Sequence, residues 1–517
     1  YRSSIYVTSF EDPGSQPRNR FLFEVGTRWL GVRLGDTNPL MNNLILWGNR
    51  VRGIEGDLKL GFFNLKVVQG ETQRGLEGKL LSLSPDPFTN DTLRTYRYGA
   101  YQRKLFAVRP SFGSGQSFQL GFNYLKVKDD IRSIDIGIQP KDNMVIGSDV
   151  LLAMFRRRLV LKAGVAFSLL TRDISEGSIS KSQIDSVFET EIPIDPKDFE
   201  EIFVINTSTT PLNPLELSSL AYNAEANIHL FHNSFHFQYK SIGAEYVSLG
   251  NTYLRNNIQG FSLSDRIRLL QNQLHLTLGY EHFIDGLDLQ NDGNKNTKPI
   301  EIKAVNFGIN YYPHLLGLPT VSLNLREKNR ANGLDTLYAI GNQNQDVSIQ
   351  LGYEFPFRGI SNSIQLSFIG SDRNDDFNSI AANVASDIRM LTVRTRYQIP
   401  LMTTISYSSN GSQTGKDSSK ISFDYNQFGF SADYSFFRDR LRVNSGIFIT
   451  TGLGKQPVDN EIVEYINYRR TSFNLGGVYQ ISSKQFARLD MFLIRFKDKY
   501  TAKYNDNIFR FRYELRF

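Results

Sequence analysis

The side chains that could ligate a metal or attack a substrate are few and scattered. His229, His232 and His236 in "HLFHNSFH" have a spacing that imitates a metal site. The stretch reads as a hairpin with His232 in its turn, which puts His229 and His236 on different parities unless the turn offsets them. "GSQTGKDS" (411–418) lacks both the phosphate-loop spacing and a Ser or Thr directly after Lys416. No G-x-S-x-G elbow occurs, and six His are too few for most triads. The chain has no Cys, so disulfides, thiolate catalysis and Cys-ligated metal centres are excluded. "NDGNKN" (291–296) and "DRNDD" (372–376) have the oxygen donors for a loop-bound Ca²⁺, but turns use the same residues. "LGDTNPLMNN" (34–43) reads first as Asp-Asn-Pro turn chemistry, and the Gly-rich basic "WGNRVRGIEGDLKLG" after it as a bend of a wall. The expectation is a protein that is not an enzyme and has no cofactor, Ca²⁺ in an outer loop being the one exception.

The charges are more informative. The chain of 517 residues carries +7, with a pI near 9.2. The segment 175–218 holds nine acidic residues and two lysines, a charge of −7, which leaves +14 for the rest. Its acidic candidates are Glu189, Glu191, Asp195, Asp198, Glu200 and Glu201. It also carries apolar "VFETEIPI" and "FEEIFVI", and "DPKDFEEIF" reads as a short helix with Pro196 in its first turn. Such a loop packs on its own rim, folds inward as a constriction, or docks a partner.

The elements that would position these charges are long strands. In "IFRFRYELRF" (508–517), Phe509, Phe511, Tyr513, Leu515 and Phe517 share one face, and Arg510, Arg512, Glu514 and Arg516 the other. "LVLKAGVAFSL", "VSIQLGYEF" and "FGFSADYSFF" alternate in the same way. These runs last about 9–15 residues, against about 5–6 for an ordinary strand, and helical periodicity is rare. No apolar run approaches the roughly 20 residues of a membrane helix, and mean hydropathy is −0.32. Tight turns after Phe155, Phe231, Leu270, Phe357, Phe437 and Ile481 alternate with long polar links, so hairpins repeat at about 40 residues. A propeller shares that period but needs four short strands per blade, and a sandwich needs a second sheet over the aromatic face. Lipid can cover that face, and closure satisfies every backbone amide. The fold class is therefore all-β, a transmembrane antiparallel up-and-down barrel. Aromatics near strand ends, among them Phe155, Phe231, Tyr397, Phe436 and Tyr479, would form its interfacial girdle.

The terminal "FRFRYELRF" resembles the last strand of bacterial outer-membrane β-barrel proteins, and the two-strand repeat extends the resemblance along nearly the whole chain. The resemblance implies a Gram-negative outer membrane. It also implies that Phe509, Phe511, Tyr513 and Phe517 are the signal read by the barrel-insertion machinery, and that lipid and lipopolysaccharide surround the wall. Counting back from Phe517 gives about 22 strands, within 20–24: a final strand at 507–517, nine hairpins from about 95, a hairpin at about 43–69 and one strand at about 20–35. Residues 1–19 are expected as a periplasmic lead-in to a single barrel, 20–517, whose long loops face outward. The start at Tyr1 is consistent with a leader removed or a longer precursor. The size resembles TonB-dependent transporter barrels, which carry a plug domain of over a hundred residues before the barrel, where about 19 residues are expected before the first strand of the sequence here.

Nine arginines take the lumen parity: Arg266, Arg268, Arg326, Arg394, Arg396, Arg442, Arg488, Arg510 and Arg512. They form either balanced ladders with carboxylates such as Asp433, Asp490 and Glu514, or an unbalanced wall that prefers anions or binds an acidic glycan or polypeptide. Asp265 falls on the apolar parity, where a bulge would shift the register. The functional expectation is a large porin-like channel or transporter for solute or polypeptide, gated by its loops or a partner. The alternative is a structural or anchoring barrel in an assembly with other envelope proteins. Nucleic acid is not an expected partner.

Overall fold

The computed structural model describes residues 2–8, 11–85, 92–183, 195–211, 217–290, 297–315, 317–377, 383–415, 420–459, 461–483, 485–501 and 503–516. The fold is an all-β antiparallel up-and-down barrel of the transmembrane type, and its described residues form 27 strands. By internal packing the chain forms two units.

Unit 1 comprises 1–226, 239–259 and 516–517. Its strands are β1 (Arg2–Tyr6), β2 (Arg20–Gly26), β3 (Leu30–Thr37), β4 (Val51–Leu60), β5 (Phe63–Gln73), β6 (Lys79–Pro85), β7 (Thr92–Arg97), β8 (Gln102–Phe112), β9 (Phe118–Asp130), β10 (Asp142–Met154), β11 (Leu159–Thr171) and β12 (Thr209–Thr210), with most of β13 (Leu220–Leu230) and the end of β14 (Asn233–Ile242). Unit 2 comprises 227–238 and 260–515. It holds the rest of β13 and β14, nearly all of β15 (Ile258–Leu269), then β16 (Leu274–Asp285), β17 (Ile300–Tyr311), β18 (Thr320–Ala331), β19 (Gly341–Phe357), β20 (Ile360–Asp375), β21 (Val384–Arg396), β22 (Leu401–Thr414), β23 (Ile421–Phe436), β24 (Leu441–Val458), β25 (Glu461–Ser482), β26 (Gln485–Asp498) and all but the last residue of β27 (Lys503–Arg516).

Alternation decides which face each residue takes. Along β10 and β11, Ile146, Leu152, Leu161 and Val165 are exposed, whereas Val145, Ala153, Val160, Ala166 and Ser168 are buried. In unit 2, Ile349, Leu351, Phe428, Phe430, Phe509, Phe511 and Tyr513 are exposed apolar residues, on the parity that a transmembrane barrel turns outward. The tight turns follow the sequence reading. Phe155, Arg156 and Arg157 are left-handed in succession, as are Leu270 to Asn272 and Phe437 to Asp439.

Two strands, β6 and β7, form a separate hairpin, and β12 is a two-residue piece paired to the end of β11. The remaining described strands number 24, two more than the 22 of the sequence count. Both extra strands are N-terminal. The run expected as one strand at 20–35 is a hairpin, because Thr27 turns the chain: its hydroxyl accepts from the Leu30 amide (3.0 Å) and its amide donates to the Leu30 carbonyl (2.6 Å). Residues 2–6, expected as lead-in, are strand β1 in register with β2, from Arg2 against Glu24 to Tyr6 against Arg20. The hairpin expected at 43–69 lies at 51–73, because 38–50 leaves the wall.

Candidate functional site

Unit 1 has a packed interior built on its lumen face. Val68 of β5, Leu105 and Ala107 of β8, Leu125 and Val127 of β9 and Val145 of β10 are apolar and buried on the parity opposite the lipid-facing side chains. Two segments lie against them. The first is 38–50, between β3 and β4. Leu44, Ile45 and Leu46 are at most 2% exposed, and full burial of such side chains contributes about 1.5–3 kcal/mol each. The second is 243–257, between β14 and β15, which brings in Tyr246, Ser248 and Asn251.

Hydrogen bonds latch the two segments together. The Tyr246 hydroxyl donates to the Leu44 carbonyl (2.8 Å), the Ser248 hydroxyl to the Ile45 carbonyl (2.5 Å), and Asn251 Nδ2 to the Asn43 carbonyl (2.6 Å). The Thr252 hydroxyl donates to Asn49 Oδ1 (3.1 Å). Burial pushes the Tyr246 phenol up, so it stays a neutral donor. Two wall residues hold the second segment. Asn143, fully buried, accepts from the Leu249 amide (2.9 Å) and donates to the Val247 carbonyl (3.0 Å), while Ser168 Oγ accepts from the Val247 amide (3.0 Å). Close approach demands glycine at two positions. A Cβ on Gly147 would lie 2.9 Å from Ile45 Cδ1, and one on Gly250 would lie 2.8 Å from both the Ile45 carbonyl oxygen and Leu125 Cδ2.

A charged cluster lies on the lumen parity of β2 to β5. Arg33 reaches Glu55 (2.7 Å), Glu24 (3.1 Å) and Asp57 (3.4 Å), and Lys66 reaches Glu55 (3.2 Å) and Asp57 (3.3 Å). Glu55 is 2% exposed, and two cations hold it in place of water.

The acidic loop is anchored on the rim of unit 1 where it is described. Phe203 and Val204 are buried. The Val204 amide donates to Asp142 Oδ2 (3.1 Å), its carbonyl accepts from the Thr171 hydroxyl (2.5 Å), and the Lys126 ammonium sits 4.6 Å from the Phe203 ring centre. Asp195 caps the short helix Pro196–Phe199 through the Lys197 amide (3.1 Å), which places Asp198 in that helix with Glu200 and Glu201 just after it. Glu189 and Glu191 lie outside the described residues.

Unit 2 has a different lumen face. All nine arginines singled out in the sequence lie in it, on the parity opposite the exposed apolar residues. Arg326 pairs with Glu281 (3.3 Å), Arg488 with Asp490 (2.8 Å), and Arg510 lies 5.6 Å from the Phe492 ring centre. For Arg266, Arg268, Arg394, Arg396, Arg442 and Arg512, no carboxylate of a described residue comes within 4.0 Å. The charge-balanced ladder is thus incomplete among the described residues. Arg396, Arg442, Arg488, Asp433 and Asn444 line one cleft of about 860 Å³ at the tight-turn end.

The other candidates resolve as local structure. Ser234 hydrogen-bonds His229 (2.9 Å) and Asn227 hydrogen-bonds His236 (2.8 Å). Asp265 accepts from Asn233 (3.3 Å). Residues 291–296 and 416–418 lie outside the described residues, as does Phe517. Among the described residues, no group of three His, Asp or Glu is placed to hold a metal ion. In 372–376, Arg373 donates to Asn342 (2.6 Å) and Asp375 is buried.

The segments 38–50 and 243–257 were not expected as an interior. Two signals were present: "LIL" (44–46) is an apolar run in a loop, and β9 carries apolar residues on both parities, with Phe122 and Tyr124 on one and Leu125 and Val127 on the other.

The chain is similar to outer-membrane β-barrel proteins. Pseudomonas aeruginosa OpdL is 11% identical over 88% of this chain and 98% of its own, with a TM-score of 0.32. Acinetobacter baumannii OccAB3 is 10% identical over 77% and 98%, with a TM-score of 0.34. A bacterial polysaccharide outer membrane secretin is 10% identical over 78% and 99%, with a TM-score of 0.26. At such scores the likeness carries no argument about residues or solutes, and the barrel assignment rests on this chain's own strand pairing and face alternation. No protein-family model matches the chain, and no curated protein does.

Proposed function

We infer that the protein is a bacterial outer-membrane channel, without enzymatic activity, whose lumen is narrowed by its own chain. The carrying observation is the contrast between two lumen faces. That of unit 1 is covered by 38–50 and 243–257, while that of unit 2 is polar and rich in arginines that no described carboxylate pairs. A wall with a structural role alone would gain from paired charges, because an unpaired guanidinium adds repulsion and no bond. Lipid and lipopolysaccharide cover the aromatic outer face in this reading, and the barrel-insertion machinery reads the last strand. The constriction is assigned to 38–50 and 243–257 rather than to the acidic loop, whose Phe203 and Val204 are buried on the rim while Phe199 and Ile202 stay exposed.

The packed interior of unit 1 favours a second reading, an anchoring barrel for envelope partners. Planar-bilayer recording of the purified protein separates the two. The channel reading requires discrete conductance steps that enlarge when 40–48 is replaced by a short Gly-Ser linker. Silence in both forms, with the protein folded, selects the anchor.

A further inference from the structure

We propose that the tight-turn end of unit 2's lumen face is a binding site for small organic anions carrying two or more carboxylates. The inference deepens the channel reading by naming the solute class of that arginine face.

The strand register is the basis. One row across the sheet runs Ser435, Arg442, Val478, Arg488, Arg512, each the register partner of the next. The adjacent row runs Arg396, Met402, Asp433, Asn444, Gly476, Asp490, Arg510. Both rows lie on the lumen parity. Together they place five arginines against two aspartates. Arg488 and Arg512 are direct cross-strand partners, an arrangement of like charges that destabilises a sheet unless an anion lies between them. Asp490 engages Arg488 by its Nε, and neither Arg512 nor Arg442 has a carboxylate of a described residue within 4.0 Å.

The spacing fits a short polycarboxylate. Neighbouring strands are about 4.8 Å apart, so Arg488 and Arg512 are rooted about 5 Å apart and Arg442 and Arg488 about 10 Å apart. A guanidinium presents a planar fork that grips one carboxylate with two parallel hydrogen bonds, and a row of such forks grips two or three on one small frame. The cleft of about 860 Å³ beside Arg396, Arg442 and Arg488 has room for such a ligand; Asn444 adds an amide to its lining, and Asp433 and Asp439 add the carboxylates that such a ligand must avoid. Three neighbouring guanidiniums, those of Arg442, Arg488 and Arg512, also discriminate by charge number, because each added carboxylate meets a further cation. A monovalent anion therefore gains least.

The test is calorimetric titration of the full chain, folded in detergent micelles, with citrate, succinate and acetate. The expected order of affinity is citrate, then succinate, then acetate. Arg442→Gln with Arg512→Gln should weaken citrate binding at least tenfold. Arg442→Lys with Arg512→Lys should restore it in part, since charge returns without the fork. Arg389→Gln, on the lipid-facing parity and paired with Asp387 (3.0 Å), should leave it unchanged. Heat-modifiable migration confirms that each variant is folded. Absence of citrate binding by the parent protein overturns the site, as does equal binding by the double Gln variant. Bilayer recording reports separately on the channel reading: citrate binding without conductance rejects the channel and keeps the site, whereas conductance without citrate binding does the reverse.

Discussion

Asn143→Ala should unlatch 243–257 from the wall of unit 1. Asn143 is fully buried and makes three hydrogen bonds: Nδ2 to the Leu169 carbonyl (2.9 Å) and the Val247 carbonyl (3.0 Å), and Oδ1 from the Leu249 amide (2.9 Å). The Leu169 carbonyl belongs to a paired strand, but the two groups of 247–249 lose their wall partner. A buried polar group left unsatisfied costs about 1–3 kcal/mol. Two such groups give about 3 kcal/mol, allowing for partial relaxation, which is a factor of about 10² in the local opening equilibrium. Ser168 still accepts from the Val247 amide (3.0 Å), so the segment opens more often without being lost. Hydrogen exchange read by mass spectrometry on the folded protein checks this. Peptides covering 43–48 and 244–251 should exchange about a hundredfold faster, while those from β17 to β23 stay unchanged. Unchanged exchange in 244–251 would refute the latch, and uniform acceleration everywhere would show that Asn143 supports the whole wall instead.

Three further outcomes follow from the same geometry. Val165→Arg and Ile349→Arg, each on the lipid-facing parity, should destabilise the folded barrel by about 2–4 kcal/mol at mid-bilayer depth, measured by reversible denaturant unfolding in liposomes; no loss would mean that lipid does not cover these strands. Phe511→Asp with Tyr513→Asp should leave the chain uninserted when it is expressed in a Gram-negative host, and normal heat-modifiable protein in the membrane fraction would remove the last strand from the insertion signal. Glu77, between β5 and β6, accepts from the amides of Asp135 (3.0 Å) and Ile136 (2.9 Å), and these hold its carboxyl below the usual range. A lowered folded value means that its contribution is present above the unfolded value and is lost as pH falls through the folded one. Exchange of the 133–137 amides should therefore rise on going from pH 5 to pH 3, after correction for intrinsic rates, and Glu77→Gln should abolish that rise.

The period-2 alternation of apolar and polar residues determined the barrel, because a strand's faces are set by chain geometry alone and a lipid-facing strand needs no partner sheet to cover it. Parity in turn placed all nine arginines, from Arg266 to Arg512, on one face, since residue spacing within a strand is enough to assign it. The strand number fell short where alternation runs through a turn, at Gly26–Leu30, and where the strand is as short as Arg2–Tyr6. What only the tertiary structure decided was long-range pairing. The meeting of Leu44 with Tyr246 and of Asn143 with Leu249 joins residues 202 and 106 positions apart, through backbone carbonyls and amides that nearly every residue possesses. The cross-strand partnership of Arg488 with Arg512 likewise depends on register, which the turn between β26 and β27 sets and which a slip of one residue would invert. Alternation says that an arginine faces the lumen; only pairing says which arginine it faces there.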